Sequence, residues 1–256
     1  MELTDYLAKE GIQEQTWEEV HKKISNEKGK EIQNNFWSIE EKTIFCDGRE
    51  PNLRAWYVFQ FKHNISYRMQ NVEYPNIMQE VPRVVASLPS EGNMLDVGSF
   101  DGLKTVYYKL QSPKLNITGI DRAPQAKETA EQRAAKYKLK NIAFQTAEFL
   151  DYSPSEPFDV VVATKVFHEH HYHEMERWEA SQNECLRKSY ELLKPGGKLI
   201  FSAFCGKVRG MEKEFAMLMK RYEQMNNLSH VDLKTWTSHI SANKTINFLF
   251  LAEKKG

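Results

Sequence analysis

The chain has 256 residues, of which 41% are hydrophobic and 27% are charged. A chain of this size buries about three quarters of the surface that its unfolded form exposes, which favours one large domain with or without a smaller lobe. The composition excludes collagen-like, low-complexity and mainly disordered proteins. Because 35 basic residues balance 35 acidic ones, the net charge gives no general attraction for nucleic acid, which is therefore not the expected partner.

The spacing of the cysteines and the length of the apolar runs favour a cytoplasmic location. Cys46, Cys185 and Cys205 are far apart and lack CxxC spacing, which argues against a disulfide framework and a thiolate zinc site. The amino terminus lacks the apolar core of a signal peptide, and no apolar run reaches the roughly 18 residues of a membrane span. We expect a cytoplasmic protein without a membrane partner, either a monomer or a homodimer.

Residues 1–90 are predicted to form a helical lobe that acts as a lid. Apolar residues recur at helical spacing from Thr4 to about Ile24, with Thr4 as the N-cap. A second helix is predicted from Val81 to Leu88, with Pro82 in its first turn, where proline is tolerated. Residues 89–92, with the sequence Pro-Ser-Glu-Gly, then mark a boundary.

Residues 91–256 are predicted to form a parallel sheet covered by helices, because short apolar runs alternate with amphipathic segments. The predicted strands are Met94–Val97, Asn116–Ile120, Ile142–Gln145, Phe158–Ala163, Lys198–Ser202, Val231–Ile240 and Thr245–Ala252. The predicted helices are Lys104–Leu110, Gln125–Tyr137, Arg177–Leu193 and Glu212–Gln224. The last two strands are separated by four residues, so we expect a hairpin and an antiparallel end to the sheet.

A glycine-containing turn follows the first of these strands. Gly98 and Gly102 lie between the strand and the next helix, and glycine can bring backbone N–H groups close to a ligand at the carboxyl end of a strand. A dinucleotide fingerprint would require a third glycine where Phe100 stands. About 25 residues after Asp96, the next strand ends at Asp121, whose carboxylate could accept both hydroxyls of a ribose or cap the following helix.

Four elements in this order resemble the class I S-adenosylmethionine-dependent methyltransferases, over roughly residues 92–204. They are the DxGxxxG motif at Asp96, Gly98 and Gly102, the acidic strand end at Asp121, the strand Phe158–Ala163, and Leu192–Leu199, which is similar to LLKPGGxL. The resemblance implies a doubly wound, mostly parallel, seven-stranded Rossmann-like α/β sheet with an antiparallel last strand. It also implies S-adenosyl-L-methionine as the cofactor and S-adenosyl-L-homocysteine as the product.

The same resemblance implies roles for individual residues. Asp96 would lie near the amino group of the cofactor, Asp121 would bind the ribose hydroxyls, and Thr164 would line the sulfonium. The further residues expected to contact the cofactor are Gly98, Ser99, Asp101, Gly102, Arg122, Glu148 and Phe149 in the core, with Tyr67 and Arg68 in the lid. At Thr146 to Glu148 the sequence departs from the family, which often has an aspartate two residues after the strand.

A histidine cluster follows the strand that ends near Ala163. Residues 168–173 contain four of the eight histidines of the chain, and neutral imidazole accepts protons near physiological pH. His168 and His171 are therefore the candidate general bases, although His168 could equally have a structural role. Imidazole and carboxylate groups one helical turn apart, such as His170 and Glu174, would also suit a divalent metal, but we assign no metal ligand.

The expected reaction is methyl transfer to a small-molecule acceptor, through nitrogen or oxygen rather than carbon. Methylation of RNA or protein is the alternative enzymatic reading, and its basic surface would come from the dense stretch of Arg133, Lys136, Lys138 and Lys140. The exposure of a helix face to solvent explains the charge of that stretch equally well. A cofactor-binding subunit without transfer activity is the third possibility.

Overall fold

The computed structural model describes residues 1–11, 37–40, 43–46, 74–86, 91–164, 166, 175–205, 220, 228–240 and 243–255. Its helices are α1 (Leu3–Lys9), α2 (Tyr74–Val85), α3 (Leu103–Gln111), α4 (Pro124–Lys136) and α5 (Met175–Leu192). Its strands are β1 (Trp37–Glu40), β2 (Thr43–Cys46), β3 (Asn93–Val97), β4 (Asn116–Asp121), β5 (Ile142–Thr146), β6 (Phe158–Thr164), β7 (Leu193–Cys205), β8 (Leu228–Ile240) and β9 (Asn243–Lys254).

Seven strands form one sheet in the order β5-β4-β3-β6-β7-β9-β8. The five strands from β5 to β7 pair in parallel, and β9 is antiparallel to both of its neighbours. The predicted mostly parallel sheet and its antiparallel last strand are therefore confirmed. Strands β4 and β5 are added on one side of β3, and the chain then crosses over to add β6 on the other side of β3. The carboxyl ends of β3 and β6 therefore flank the crevice where such sheets bind ligands.

Alternate residues of the central strands divide the core between the two faces of the sheet. Met94 of β3 and Val160 of β6 pack with residues of α1, α2, α3 and α4, whereas Leu95 of β3 and Val161 of β6 pack with α5. This arrangement follows from the period of two in a strand, since strands buried on both faces need apolar residues at successive positions. The result is a three-layer α/β/α unit.

The first helix is shorter than the sequence predicts. Thr4 is not its N-cap, because α1 begins at Leu3 and Glu2 occupies the cap position without a side-chain hydrogen bond. The helix ends at Lys9, and Gly11 follows with a φ of 69°. A left-handed glycine just beyond the last turn is a common helix stop. The remainder of the predicted helix, residues 12–24, lies outside the described part of the chain.

The second helix is longer than predicted, and Pro82 lies in its interior rather than in its first turn. Proline in a helix interior costs about 3 kcal/mol or more. The same helix buries Ile77, Met78, Val81 and other apolar side chains in the core, and each contributes roughly 1.5–3 kcal/mol. Burial of the apolar stripe therefore outweighs the lost backbone hydrogen bond.

A register shift of the sheet lies near the start of β7. Phe158 pairs with Leu193, and the next pair joins Val160 to Lys198. The Lys194-Pro195-Gly196-Gly197 turn therefore stands outside the ladder, although the strand begins before it rather than at Lys198 as predicted. The predicted helix Glu212–Gln224 falls almost wholly outside the described residues.

The segment before residue 91 does not consist of helices alone. Strands β1 and β2 form a two-stranded antiparallel sheet, which the sequence analysis did not predict. Leu3, Tyr6 and Met78 share one core cluster with the sheet, so α1 and α2 pack directly on the α/β unit. Among the helices that the structure describes, none has both the length and the apolar composition to cross a membrane.

Candidate cofactor site

The turn between β3 and α3 contains three residues in the left-handed region. Their φ angles are 67° at Gly98, 50° at Phe100 and 75° at Gly102. A side chain at Gly98 would collide with Val166, and a Cβ at Gly102 would lie 2.7 Å from the Cβ of Ala130 on α4. Both glycines are thus required for backbone conformation and for close packing at the carboxyl end of β3.

Asp96 lies on β3 directly before this turn and is fully buried. One carboxylate oxygen accepts a hydrogen bond from the Thr105 hydroxyl at 2.5 Å, and the other has no hydrogen-bond partner among the described residues. Burial raises the pKa of Asp96 from 3.8 to about 6, although nearby Lys104 and the Thr105 hydroxyl oppose this shift. The unpaired oxygen is an acceptor available to a bound donor.

Asp121, at the end of β4, joins two turns of the site. One carboxylate oxygen accepts the backbone N–H of Phe100 at 3.0 Å, and the other accepts the N–H of Ala123 at 2.9 Å. Burial raises the pKa of Asp121, and these two backbone hydrogen bonds oppose the rise. Because an ionised carboxylate has about four acceptor positions, both oxygens retain capacity for hydroxyl groups of a ligand.

Lys104 is a buried cation that the sequence analysis did not identify. Its ammonium group donates to the backbone oxygen of Thr164 at 3.2 Å and also to the Thr164 hydroxyl. Burial raises the pKa values of Asp96, Asp101 and Asp121, and the charge of Lys104 opposes that rise. The sequence did contain a signal, since a lysine in the first turn of a helix opposes the helix dipole.

The carboxylate of Asp101 binds groups of the protein itself. Its carboxylate accepts the backbone N–H of Leu103 at 3.2 Å and lies 3.2 Å from the guanidinium of Arg133 on α4. Burial raises the pKa of Asp101, while Arg133 lowers it. Its predicted contact with the cofactor stays a prediction, and its observed role is to connect the turn to α4.

The other predicted contact residues lie around the same edge of the sheet. Ser99 is buried, and its backbone N–H donates to Ile120 at 3.0 Å. Arg122 is half-buried beside Asp121, and Glu148 is exposed beyond β5. Phe149 packs against the core cluster on the α5 side of the sheet. The predicted residues Tyr67, Arg68, His168 and His171 lie outside the described residues.

A cavity of about 400 Å³ borders the amino-terminal ends of three strands and also reaches Thr118 of β4 and Gln145 of β5. Asn93, Asn116 and Phe158, the first residues of β3, β4 and β6, line it together with residues 152–156. None of the predicted site residues borders this cavity. Within the described ranges, no group of three His, Cys, Asp or Glu residues is arranged to hold a metal ion.

Comparison with known proteins identifies the family. The sequence model of the family described as "Methyltransferase domain" matches residues 88–252, which is more than half of the chain. The chain belongs to the methyltransferase-domain family. Its strand order and antiparallel β9 agree with the class I S-adenosylmethionine-dependent fold that the sequence predicted.

Two curated relatives of this methyltransferase domain act on different acceptors. A malonyl-[acyl-carrier protein] O-methyltransferase from Paenibacillus sp. (strain JDR-2) is 29% identical over 118 residues, covering 45% of this chain and 40% of the relative. A tRNA1(Val) (adenine(37)-N6)-methyltransferase from Pseudoalteromonas translucida is 31% identical over 85 residues, covering 33% of this chain and 37% of the relative. The chain thus matches less than half the length of either relative.

A solved structure shows the same fold. The N-methyltransferase NodS from Bradyrhizobium japonicum WM9, in complex with S-adenosyl-L-homocysteine, superposes with a TM-score of 0.55 and 18% sequence identity. The superposition covers 71% of this chain and 87% of that one.

S-adenosylmethionine is the cofactor of this family, and the residues of this methyltransferase domain fit it. The oxygen of Asp96 that has no partner in the described part of the chain suits an ammonium group, since buried acceptors without partners are rare in folded proteins. The carboxylate of Asp121, with acceptor capacity to spare, suits a pair of hydroxyls. The glycine turn lies between these two carboxylates in the chain.

Proposed function

We propose that this methyltransferase domain transfers the methyl group of S-adenosylmethionine to a small-molecule acceptor through a nitrogen or oxygen nucleophile. The observation that carries the cofactor part of the proposal is the hydrogen bond from Phe100 to Asp121, together with the buried oxygen of Asp96 that has no partner among the described residues. It brings the glycine turn and the end of β4 together at the ligand edge of the sheet.

The bound cofactor supplies an electrophilic methyl group on a sulfonium. Transfer is a displacement, so the protein contributes mainly by holding the reactants in line. In our proposal Asp121 binds the ribose hydroxyls, Asp96 binds the amino group, and Thr164 lies beside the sulfonium. Lys104 binds both oxygens of Thr164 and thereby fixes this residue at the end of β6.

In our proposal His168 or His171 is the general base that accepts the proton lost by the acceptor's nucleophile. These residues follow Thr164, the last residue of β6, by four and seven positions in the sequence. A histidine base must be neutral to accept a proton. Replacement of the correct histidine by alanine should reduce turnover more than cofactor affinity. A rate that is unchanged between pH 6 and 9 would exclude both residues as bases.

RNA methylation is the second candidate, because relatives named for a tRNA and for small-subunit ribosomal RNA also match the chain. Its basic surface would require the stretch from Arg133 to Lys140. In the structure, however, Arg133 is buried in ion pairs with Glu10 and Asp101, and the exposed Lys136 is also paired with Glu10. This partial neutralisation favours a small acceptor.

Two measurements test the proposal. Calorimetry should detect binding of S-adenosylhomocysteine and none of NAD, which serves as the control ligand for a glycine turn. Methyl-labelled S-adenosylmethionine is then incubated with the protein and separate small-molecule, RNA and protein fractions. Label in the small-molecule fraction is expected. Label confined to RNA or protein would favour those acceptors, and binding without any transfer would favour a cofactor-binding subunit.

A further inference from the structure

Glu10, the residue that follows α1, is the centre of a buried ionic network. Its carboxylate accepts hydrogen bonds from Arg133 at 2.7 Å, from Lys136 at 2.8 Å and from the Tyr137 hydroxyl at 2.7 Å. Only 6% of the Glu10 side chain is exposed. Although burial acts in the opposite direction, these three donors lower the pKa of Glu10, so the network holds it as a carboxylate.

Arg133 connects this carboxylate to the glycine turn. Its Nε binds Glu10, and its Nη1 binds both the carboxylate and the backbone oxygen of Asp101. The guanidinium is suited to such a forked contact because its donors have a fixed planar arrangement. Arg133 and Asp101 are 10% and 5% exposed, so neither can replace a lost protein partner readily with water.

A second contact joins α1 to the other end of the same turn. The Tyr6 hydroxyl donates to the backbone oxygen of Leu103 at 2.8 Å, and its ring lies 5.2 Å from that of Tyr107 and 5.6 Å from that of Tyr137. Asp101 in the turn and Leu103 at the start of α3 are therefore each held by a group that depends on the segment of α1 and Glu10. Between β3 and residue 101 lies Phe100, a non-glycine residue in the left-handed region, whose conformation needs support from its surroundings.

We propose that Glu10 is a positioning residue for the cofactor turn. Through Arg133 it holds Asp101 and keeps the turn between Gly98 and Leu103 in its ligand-binding conformation. Docking of residues 1–11 and binding of the cofactor are therefore coupled. By thermodynamic reciprocity, a ligand that binds this turn also stabilises the docked α1. This inference rests on the proposed cofactor site.

The test compares full-length Glu10→Gln with the wild type. Because the amide cannot form the ion pair with Arg133, we expect S-adenosylhomocysteine to bind at least tenfold more weakly by calorimetry. In the absence of ligand, the amides of residues 98–103 should exchange hydrogen faster than in the wild type. In the wild type, S-adenosylhomocysteine should slow exchange in residues 3–10, and this effect should be lost in the variant.

Two control variants separate positioning from general stability. Lys136→Met removes the exposed arm of the network, since the Lys136 side chain is 52% exposed, and should leave affinity within about twofold of the wild type. Lys194→Met breaks the ion pair with Asp159 and should lower the melting temperature without changing affinity. Arg133→Lys keeps the charge but not the fork, so it should also weaken binding, and it serves if Glu10→Gln does not fold.

The outcomes are distinct. If the wild type binds S-adenosylhomocysteine but Glu10→Gln or Arg133→Lys binds it equally well, the coupling is wrong. The same conclusion follows if the ligand does not alter exchange in residues 3–10. If the wild type does not bind the ligand, the proposed function fails, whereas exchange of residues 98–103 in the unliganded proteins still tests the positioning. Unchanged exchange there would overturn it.

Discussion

The carboxylate of Asp121 accepts the backbone N–H of Phe100 at 3.0 Å, and this bond joins the ends of two neighbouring strands. It also stabilises Phe100 in a backbone conformation that is uncommon for a residue with a side chain. The residue expected to bind the ribose thus has a structural role as well. Both roles should be lost together in Asp121→Ala.

Asp121→Ala should weaken binding of S-adenosylhomocysteine by about 1.5–3 kcal/mol, the usual range for hydrogen bonds to a charged group. That corresponds to roughly ten- to a hundredfold in the dissociation constant. Asp121→Asn retains one carbonyl acceptor for Phe100 and should have an intermediate affinity. Calorimetry on the three proteins provides the comparison, and equal affinities would contradict the site.

Asp96 should make the stability of the unliganded protein depend on pH. Its pKa in the folded protein, about 6, exceeds the ordinary value of 3.8, so between these values the folded state binds more protons than the unfolded state. Its contribution to stability is therefore complete below pH 4 and is lost as the pH rises through 6.

Asp96→Asn removes this dependence. Because two pKa units correspond to about 3 kcal/mol, the variant should gain up to that amount relative to the wild type at pH 8. The difference should shrink as the pH falls below 6. Urea unfolding at pH 5 and pH 8 measures both values, and a difference that does not change with pH would show that Asp96 is ionised at both.

Lys104→Met should shift the pH dependence of cofactor binding. Lys104 lowers the pKa of Asp96, so its removal should raise that pKa further above 6. As the pH falls, the carboxylate that receives the cofactor's amino group would then become protonated at a higher pH than in the wild type. Calorimetry between pH 5.5 and 8 should show the affinity beginning to fall at a higher pH than in the wild type.

Lys109→Met is the matched control for this shift. Lys109 is a second buried lysine of α3, and it binds the backbone oxygens of Pro113 and Leu115 rather than groups of the site. Its removal should destabilise the fold but leave the pH profile of binding in place. If the two variants give the same profile, the shift does not come from Lys104 and Asp96.

Gly102 and Gly196 separate two costs of replacing a glycine. Both have a φ of 75°, but a Cβ at Gly102 meets Ala130 at 2.7 Å, whereas a Cβ at Gly196 has no atom within 4 Å. Gly196→Ala should therefore cost only the backbone strain, about 1–2 kcal/mol. Gly102→Ala should lower the free energy of unfolding further, because its Cβ would also clash with Ala130 of α4. Similar unfolding free energies for the two variants would contradict this packing.

The order and type of the core elements could be predicted from sequence because their signals are local. The strand Ile142–Gln145 differs from the observed β5 by one residue, and the hairpin of β8 and β9 follows from two apolar runs with a short connection. Alternation and turn residues are visible within a window of about ten residues. The β1–β2 hairpin has a weaker signal, because β1 alternates two apolar residues with Ser38 and Glu40, and the sequence therefore predicts only a helical lobe there.

The ionic part of the site could not be predicted in the same way. Glu10 and Arg133 are 123 residues apart in sequence, and nothing near either residue indicates the other. The motif identified Asp96 and Asp121 as acids. It did not identify the Phe100 contact of Asp121, or the Asp96 oxygen for which the described residues offer no partner. These properties arise from tertiary packing, which places groups from different elements around one turn.

The position of β9 between β7 and β8 has a consequence for biosynthesis. Residues 228–240 leave the ribosome before residues 243–254, yet they reach the sheet only through pairing with those later residues. Until then β7 presents an unpaired edge, which is a site for wrong association with other chains. Nascent chains halted before residue 243 should therefore bind chaperones. Once residues 243–254 have left the ribosome and β9 has paired with β7, the chaperones should dissociate.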